Sequence, residues 1–207
     1  MKIMPVAPGV IIDLGKLFEN TFGGKPYVIE SLGNGLDSDK LTSSLGSTLK
    51  EQIKGIDVWF PTRFFEAGGK IPVGYLPYSV VRVSGKKNIV KTPLIDRKGT
   101  AKEQYSVDDY AISLKGFVIG NNGEYPEAEI DSLKELFENR KALQIDNAIT
   151  NVFLMDPFLE ANEQKRVVIE SLEFPEVEGG RINVKPFSMQ LVSDHIFKLE
   201  VDVQDDR

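Results

Sequence analysis

The sequence predicts an α+β fold: an antiparallel β-sandwich or rolled sheet, flanked by one α-helix at residues 126–141 and preceded by an irregular N-terminal extension. Three observations predict it. Beyond residue 80, apolar and polar residues alternate in several segments, which is the period of a strand with one buried face. One amphipathic segment interrupts these strands. Short turns connect the strands, and short connections favour antiparallel pairs because parallel pairs need long crossovers.

Residues 1–80 are predicted to form the irregular extension, or a small subdomain, because Gly and Pro punctuate them throughout. Within them, residues 14–22 and 41–53 are predicted as short helices, the second because Leu and Ile recur every four residues. Residues 56–60 are predicted as a strand. The aromatic cluster at its end is predicted to lie in the core, with a partner-facing patch as the alternative: Trp59, Phe60, Phe64 and Phe65.

Residues 81–207 are predicted to form the β-sandwich domain. Its strands are predicted, in order, at residues 80–83, 88–95, 100–105, 109–119, 142–149, 151–154, 166–172, 187–192 and 195–203, with a turn at 84–87. The helix is predicted from Pro126, since the first helical position tolerates a missing N–H. Glu127 and Glu129 near its start, and Arg140 and Lys141 at its end, match the helix dipole.

The composition excludes several classes of function. The 207 residues include no Cys and a single His, His195, so a thiol nucleophile, a disulfide framework and a multi-histidine metal site are excluded within one chain. The net charge of −6 argues against nucleic acid as a specific partner. The N-terminal apolar run is short and broken by Pro, so we expect no signal peptide, no membrane insertion and a cytoplasmic site of synthesis.

Candidate catalytic and cofactor motifs are weak, and the sequence predicts neither an enzyme nor a cofactor. Gly33 and Gly35 lack the third Gly of a dinucleotide fingerprint. Ser193, Asp194 and His195 are the residue types of a hydrolase triad, but adjacent residues of an extended chain point to opposite faces. The paired carboxylates, such as those at 37–39 and 108–109, lie in polar loops, so a metal site is not predicted either.

A basic run is the clearest candidate for a binding surface. Between Arg82 and Lys102 the chain carries seven basic residues and one acid. A solvated hairpin is one interpretation, and an electrostatic contact with an acidic neighbour is the other. On the second interpretation, six residues are predicted to contact other subunits: Arg82, Lys86, Lys87, Lys91, Arg97 and Lys98.

Part of the domain resembles a family of contractile-phage tail and baseplate proteins. The resemblance is carried by residues 99–103, by the motif D-Y-A-I-S-L-K-G that starts at Asp109 and leads to Gly120, and by Tyr125-Pro126 with the helix and strand that follow. The resemblance covers residues 82–203, and this part of the chain is also similar to the tube-like β-sandwich domain of distal tail and tube-initiator proteins. Residues 1–80 fall outside it.

The resemblance implies a structural role in the virion tail, at the tube–baseplate region, with assembly in the host cytoplasm. It implies rings of this chain whose sheets join edge to edge, contacts with other tail and baseplate proteins, and no catalytic residues. The alternative is a ligand- or carbohydrate-binding β-sandwich that uses Trp59, Tyr75 and Tyr78 as an aromatic platform. An acidic hydrolase is a third hypothesis, which needs a cleft of converging carboxylates.

Overall fold

The computed structural model describes residues 4–5, 11–12, 19–23, 40–53, 56–94, 98–120, 123–176 and 182–195. Within them the strands are β1 (Met4–Pro5), β2 (Ile11–Ile12), β3 (Lys40–Thr42), β4 (Thr48–Ile53), β5 (Ile56–Trp59), β6 (Thr62–Glu66), β7 (Pro72–Leu76), β8 (Ser79–Ser84), β9 (Lys87–Pro93), β10 (Thr100–Val107), β11 (Ala111–Ile119), β12 (Leu143–Asp146), β13 (Arg166–Glu173) and β14 (Val184–Ser193). The helices are α1 (residues 19–22), α2 (Glu127–Glu138) and α3 (Ala148–Leu154).

The predicted fold class is confirmed, because the described residues form mostly antiparallel sheets around one main helix. The helix predicted over residues 14–22 is described only at 19–22. Of the strand predicted over residues 195–203, all but the first residue lies outside the described residues.

A seven-stranded sheet forms the body of the fold, in the strand order β7-β6-β12-β13-β14-β11-β8. Strand β11 shows the predicted alternation, since Ile112 and Leu114 are buried whereas Ser113 and Lys115 are partly exposed. Residues of the other strands complete one continuous apolar core, including Phe64, Ile145, Val167, Phe187, Met189 and Leu191. Burial of this apolar surface is the main favourable contribution to folding.

The sheet rolls up so that its two edge strands meet. Strands β7 and β8 stand at opposite ends of the strand order, yet only Pro77 and Tyr78 separate them in the chain. A flat sheet of this size is about 29 Å wide at 4.8 Å per strand, too wide for two residues to cross. The Ser79 hydroxyl donates to the Thr62 hydroxyl at 3.0 Å and so joins β8 to β6. The main sheet is therefore strongly curved, which agrees with the predicted β-sandwich or rolled sheet.

Gly116 allows the chain to turn this corner against β11. A Cβ at residue 116 would lie 2.4 Å from the Tyr78 carbonyl oxygen and 3.1 Å from the Phe187 ring. The Phe117 N–H donates to the same carbonyl at 3.1 Å. Because a carbon atom cannot approach an oxygen so closely, any side chain here would push the corner away from the sheet.

Helix α2 packs on β7, β11 and β13 through one apolar face. Leu133 and Leu136 are buried there, and Gly74 of β7 leaves room for Leu136, whose methyl lies 3.0 Å from the position of a Cβ. The helix is shorter than predicted, since it ends at Glu138. The basic residues expected in its last turn follow the helix end, where Lys141 forms an ion pair with Glu66 at 2.7 Å.

Arg63 of β6 fastens a three-stranded sheet, β3-β4-β5, to the main sheet. Its guanidinium donates to the Thr48 hydroxyl at 2.9 Å and forms an ion pair with Glu51, both in β4. Tyr75 of β7 donates to the same carboxylate, and its ring centroid lies 5.2 Å from the Arg63 guanidinium carbon. The several N–H groups of one guanidinium can hold both sheets because they point in fixed, different directions.

The helix predicted over residues 41–53 is wrong, because this segment forms β3, a turn and β4. Gly46 takes a φ of 78° in the turn, and its N–H donates to the Ser43 carbonyl at 3.0 Å. The hydroxyls of Ser43 and Ser47 also form a hydrogen bond, at 2.7 Å. Local turn chemistry therefore outweighs the four-residue spacing of Leu and Ile.

The strands predicted over residues 142–149 and 151–154 are confirmed only at β12. Residues 148–154 form the helix α3 instead. Asn147 begins this helix, since its side-chain oxygen accepts a hydrogen bond from the Ile149 N–H at 2.9 Å. Such a cap satisfies one of the N–H groups that a helix start leaves free, and so favours a helix at this point.

The predicted aromatic core is confirmed for Phe64 and wrong for Trp59 and Phe60, which are 46% and 45% exposed. Trp59 ends β5, a strand of the small sheet, so it does not reach the core of the main sheet. Phe60 follows with a φ of 54°. Phe65 is partly exposed, because it alternates with Phe64 along β6.

The main sheet takes strands from both sides of residue 80. Strands β6 and β7 precede this position, and β8 spans it. The division of the chain into residues 1–80 and 81–207 stays a prediction.

Candidate interaction surface

Strands β9 and β10 form a two-stranded antiparallel ribbon that is separate from the main sheet. All seven residues of β9 and all eight residues of β10 are exposed. The ribbon continues the β8–β11 pair outward from the main sheet, since Ser84 pairs with Ala111 and Lys87 pairs with Val107.

Local contacts give the ribbon its register. The Asn88 side chain donates to the Ser106 hydroxyl at 3.0 Å, and the pairing runs from Thr100 opposite Pro93 to Val107 opposite Lys87. An irregularity between Gln104 and Ser106 leaves Tyr105 as an extra residue of β10. Bulges of this kind increase the local twist and redirect a side chain. The Tyr105 side chain is 71% exposed.

One face of the ribbon is basic. Side chains alternate along a strand and directly paired residues share a face. Lys87 and Lys91 therefore lie on the same face of β9, and Lys102 joins them because it pairs directly with Lys91. No Asp or Glu of the ribbon lies on this face, which we call the lysine face (Lys87, Lys91 and Lys102).

The opposite face of the ribbon is mixed in character. It carries Val90 and, directly across from it, Glu103. The Tyr105 hydroxyl donates to the Glu103 carboxylate at 3.2 Å, so the tyrosine ring is held on this side. By the same rule Ile89 and Val107 lie on the lysine face, so the exposed apolar side chains of the ribbon are divided between its two faces.

The residues predicted to contact other subunits lie in different elements of the fold. Arg82 lies in β8, and Lys86 lies between β8 and β9. Lys87 and Lys91 lie in β9, and Lys98 precedes β10. All five are exposed. Arg97 lies outside the described residues. Their role in subunit contacts stays a prediction. Lys102 is absent from that prediction, and only the cross-strand register shows its place beside Lys91.

The turn predicted at residues 84–87 is wrong. Strand β8 pairs with β11, and β9 pairs with β10, so β8 and β9 do not form a hairpin. The segment between them instead carries the chain from the main sheet into the ribbon. The Asp108 N–H donates to the Lys86 carbonyl at 2.8 Å where the ribbon ends.

Ser193, Asp194 and His195 do not come together as a hydrolase triad. The Ser193 hydroxyl donates to the Asp109 carboxylate at 3.3 Å. Asp194 forms an ion pair with Arg166 at 2.7 Å. These partners hold the end of β14 in place, and the Asp194 carboxylate points to Arg166 rather than to His195 or Ser193.

The three residues of the predicted aromatic platform have different surroundings. The Trp59 ring lies 5.7 Å from the Lys50 ammonium, and Tyr75 faces the Arg63 guanidinium. Tyr78 lies in the corner between β7 and β8, where burial raises the pKa of its phenol. A sugar-binding platform needs open ring faces, and cations lie near two of these rings.

No group of three His, Asp or Glu residues within the described ranges could hold a metal ion. None of the described helices is long and apolar enough to cross a membrane. The glycines at 33 and 35 and the carboxylates at 37 and 39 lie outside the described residues.

Fold and surface together define a mainly antiparallel β-protein with a rolled sheet, one packed helix and a separate exposed ribbon. The chain belongs to the family DUF6046, described as a domain of unknown function, which matches residues 75–204. The match begins in β7 and includes the ribbon, α2 and the remaining strands of the main sheet except β6. No curated protein matches the sequence.

The chain is similar to solved structures of phage tail and baseplate proteins. The Dit protein (gp 19.1) of phage SPP1 is 14% identical, with a TM-score of 0.41 over 64% of this chain and 49% of that chain. A chain of the anti-feeding prophage baseplate is 8% identical, with a TM-score of 0.40 over 69% and 94%. A tail chain of the empty gene transfer agent particle is 11% identical, with a TM-score of 0.36 over 69% and 96%. The chain spans about half the length of the SPP1 protein.

Proposed function

We propose that the chain is a non-enzymatic structural component of a phage or phage-derived tail. It assembles in the host cytoplasm, forms rings with copies of itself at the tube–baseplate region and contacts other tail and baseplate proteins. The observation that carries this proposal is the ribbon, all of whose residues are exposed.

The ribbon has the features of a subunit contact. Several of its apolar side chains face solvent, among them Ile89, Val90, Tyr105 and Val107. In the part of the chain that the structure describes, each of its strands pairs on one side only. An unpaired strand edge offers a row of N–H and C=O groups to a strand of another chain. Pairing there would satisfy these groups and bury the apolar side chains at the same time.

The residues that carry the resemblance to tail proteins have roles in the fold, which supports the same proposal. The missing side chain of Gly116 leaves room for the Tyr78 carbonyl between β7 and β8, and a Cβ at Gly120 would lie 2.1 Å from the Glu124 carbonyl oxygen. The Tyr110 N–H donates to the Ser193 hydroxyl at 2.9 Å and fixes the start of β11. The motif therefore encodes the junction of strand, loop and helix rather than a reaction centre.

Sedimentation velocity and negative-stain imaging of the full chain over a wide concentration range test the proposal. We expect rings or stacked rings. The variant Ile89→Asp with Val107→Asp should remain monomeric, yet keep its melting temperature within about 2 °C because both side chains are exposed and neither stands opposite an acidic residue. The control Phe158→Asp, at a residue that is 93% exposed outside the ribbon, should assemble as the parent does. A parent chain that stays monomeric at every concentration overturns the proposal, and glycan binding by that monomer would favour the alternative.

A further inference from the structure

Helix α2 presents an acidic surface to solvent, on the side away from its buried leucines. Four acidic residues form this surface: Glu127, Asp131, Glu135 and Glu138. They are exposed, and their spacing of four, four and three residues places them on one face of the helix. Lys134 lies beside them, so four carboxylates and one ammonium give a net charge of −3. We call this surface the acidic face.

The lysine face and the acidic face are each repulsive within one chain. Lys91 stands directly opposite Lys102, and like charges in that position destabilise a strand pair. Carboxylates four residues apart on a helix also repel each other. The ion pairs between described residues lie elsewhere in the fold: Arg63 with Glu51, Lys141 with Glu66, Lys165 with Asp146, and Arg166 with Asp194.

The two faces match in charge and in spacing. The lysine face carries three positive charges against the net −3 of the acidic face. Lys87 and Lys91 are four residues apart along a strand, about 13 Å at 3.3 Å per residue. Glu127 and Glu135 are eight residues apart along a helix, about 12 Å at 1.5 Å per residue. A helix laid along the ribbon therefore brings carboxylates to both lysine positions at once.

The roots of the two elements lie at opposite ends of β11. The ribbon ends just before Ala111, whereas α2 follows the loop after Ile119. These two residues are about 26 Å apart along the strand. A contact between the faces of two different copies is therefore easier to form than a contact within one copy.

We propose that the lysine face of one copy docks on the acidic face of α2 in a second copy. This inference rests on the proposed function and names the surface that the ribbon contacts. The two faces differ, so the contact is heterologous, and each copy uses one face toward each of two neighbours. Repetition of such a contact closes a ring or extends a stack.

Charge reversal with complementation tests the inference. The ribbon variant is Lys87→Glu, Lys91→Glu and Lys102→Glu, and the helix variant is Glu127→Lys, Asp131→Lys and Glu135→Lys. Each variant alone should associate at least about a hundredfold more weakly than the parent chain, since like charges then meet at the contact. A 1:1 mixture of the two should assemble, because each variant then meets opposite charges on the other. Sedimentation velocity at low salt measures this, and circular dichroism establishes that each variant is folded.

Controls separate this contact from a general effect of charge. The variant Glu170→Lys with Glu173→Lys, on exposed residues of β13, should assemble as the parent does. Parent assemblies should also weaken as sodium chloride rises, because salt screens exposed charges. If both triple variants assemble normally, or only the ribbon variant fails, the inference is overturned while the proposed function stands. A parent chain that never assembles overturns both.

Discussion

Replacement of Asn147 by Ala should lower the free energy of unfolding by about 2–3 kcal/mol. The buried side-chain amide donates to the Phe60 carbonyl at 2.8 Å and to the Thr62 hydroxyl at 3.2 Å, and its oxygen accepts from the Ile149 N–H at 2.9 Å. Loss of the helix cap costs about 1 kcal/mol, and the two acceptors that lose a donor add about 1–2 kcal/mol. Urea unfolding, followed by the fluorescence of the single tryptophan, Trp59, measures the change.

Two further variants separate the parts of this estimate. Asn147→Ser keeps an oxygen that can cap α3 but is too short to reach the Phe60 carbonyl, so it should be about 1 kcal/mol more stable than the Ala variant. Asn88→Ala, which removes an exposed asparagine of the ribbon, should change stability by less than about 0.5 kcal/mol. A loss below about 0.5 kcal/mol for Asn147→Ala would refute the reasoning, since a buried side chain with these partners cannot be removed so cheaply.

Three other predictions concern the corner, the helix and the pH dependence. Gly116→Ala should cost more than about 2 kcal/mol, because its Cβ would collide with the Tyr78 carbonyl; an unchanged melting curve would contradict this. Leu136→Ala should cost about 2–5 kcal/mol, whereas Phe137→Ala, at a ring that is 42% exposed, should cost less than about 1 kcal/mol; equal losses would show that α2 packs through another face. Burial raises the pKa of Tyr78 above its ordinary 10.0, because the folded state favours the neutral phenol. The contribution of this preference to the free energy of unfolding is complete below pH 10 and is lost as pH rises through the folded-state pKa. Urea unfolding across this range should show the loss in the parent and in Tyr105→Phe, but not in Tyr78→Phe; a loss of the same size in Tyr78→Phe would assign it to another group.

Elements that bury apolar residues on one face could be predicted from the sequence. Strand β11 and helix α2 belong to this group, because burial imposes a period of two on the first and of 3.6 on the second. Strand β4 could not be predicted in this way, because its buried residues are the polar Thr48 and Lys50, which are 6% and 8% exposed. With no apolar alternation to mark the strand, the regular spacing of leucines indicated a helix. The turn at Gly46 was the signal that favoured two strands.

Helix α3 was missed for a different reason. Ile149, Thr150 and Val152 are β-branched, and such residues favour strands on intrinsic preference. Asn147 is a good helix cap, and its buried bonds to residues 60–62 depend on contacts across the fold that local sequence does not contain.

The charge of the interaction surface was visible in the sequence, but its geometry was not. Strand β8 pairs with β11, so Arg82 lies in the main sheet and away from the ribbon. Lys91 and Lys102 are eleven residues apart in the chain, and the register of β9 with β10 places them directly opposite each other. Register depends on the hydrophobic pattern and on turn geometry, and a run of basic residues does not specify it.

The position of β14 in the sheet affects how the protein matures during synthesis. This strand is the last described one in the chain, yet it lies between β13 and β11 near the middle of the main sheet. Residue 193 is translated 74 residues after residue 119, the end of β11, an interval of about 4–15 s at 5–20 residues per second. The ribbon is local in sequence and can form in microseconds, long before the core can close. Both strands of the ribbon are therefore synthesised before β14 can complete the main sheet, so the order of synthesis separates the local strand pairing from the long-range one.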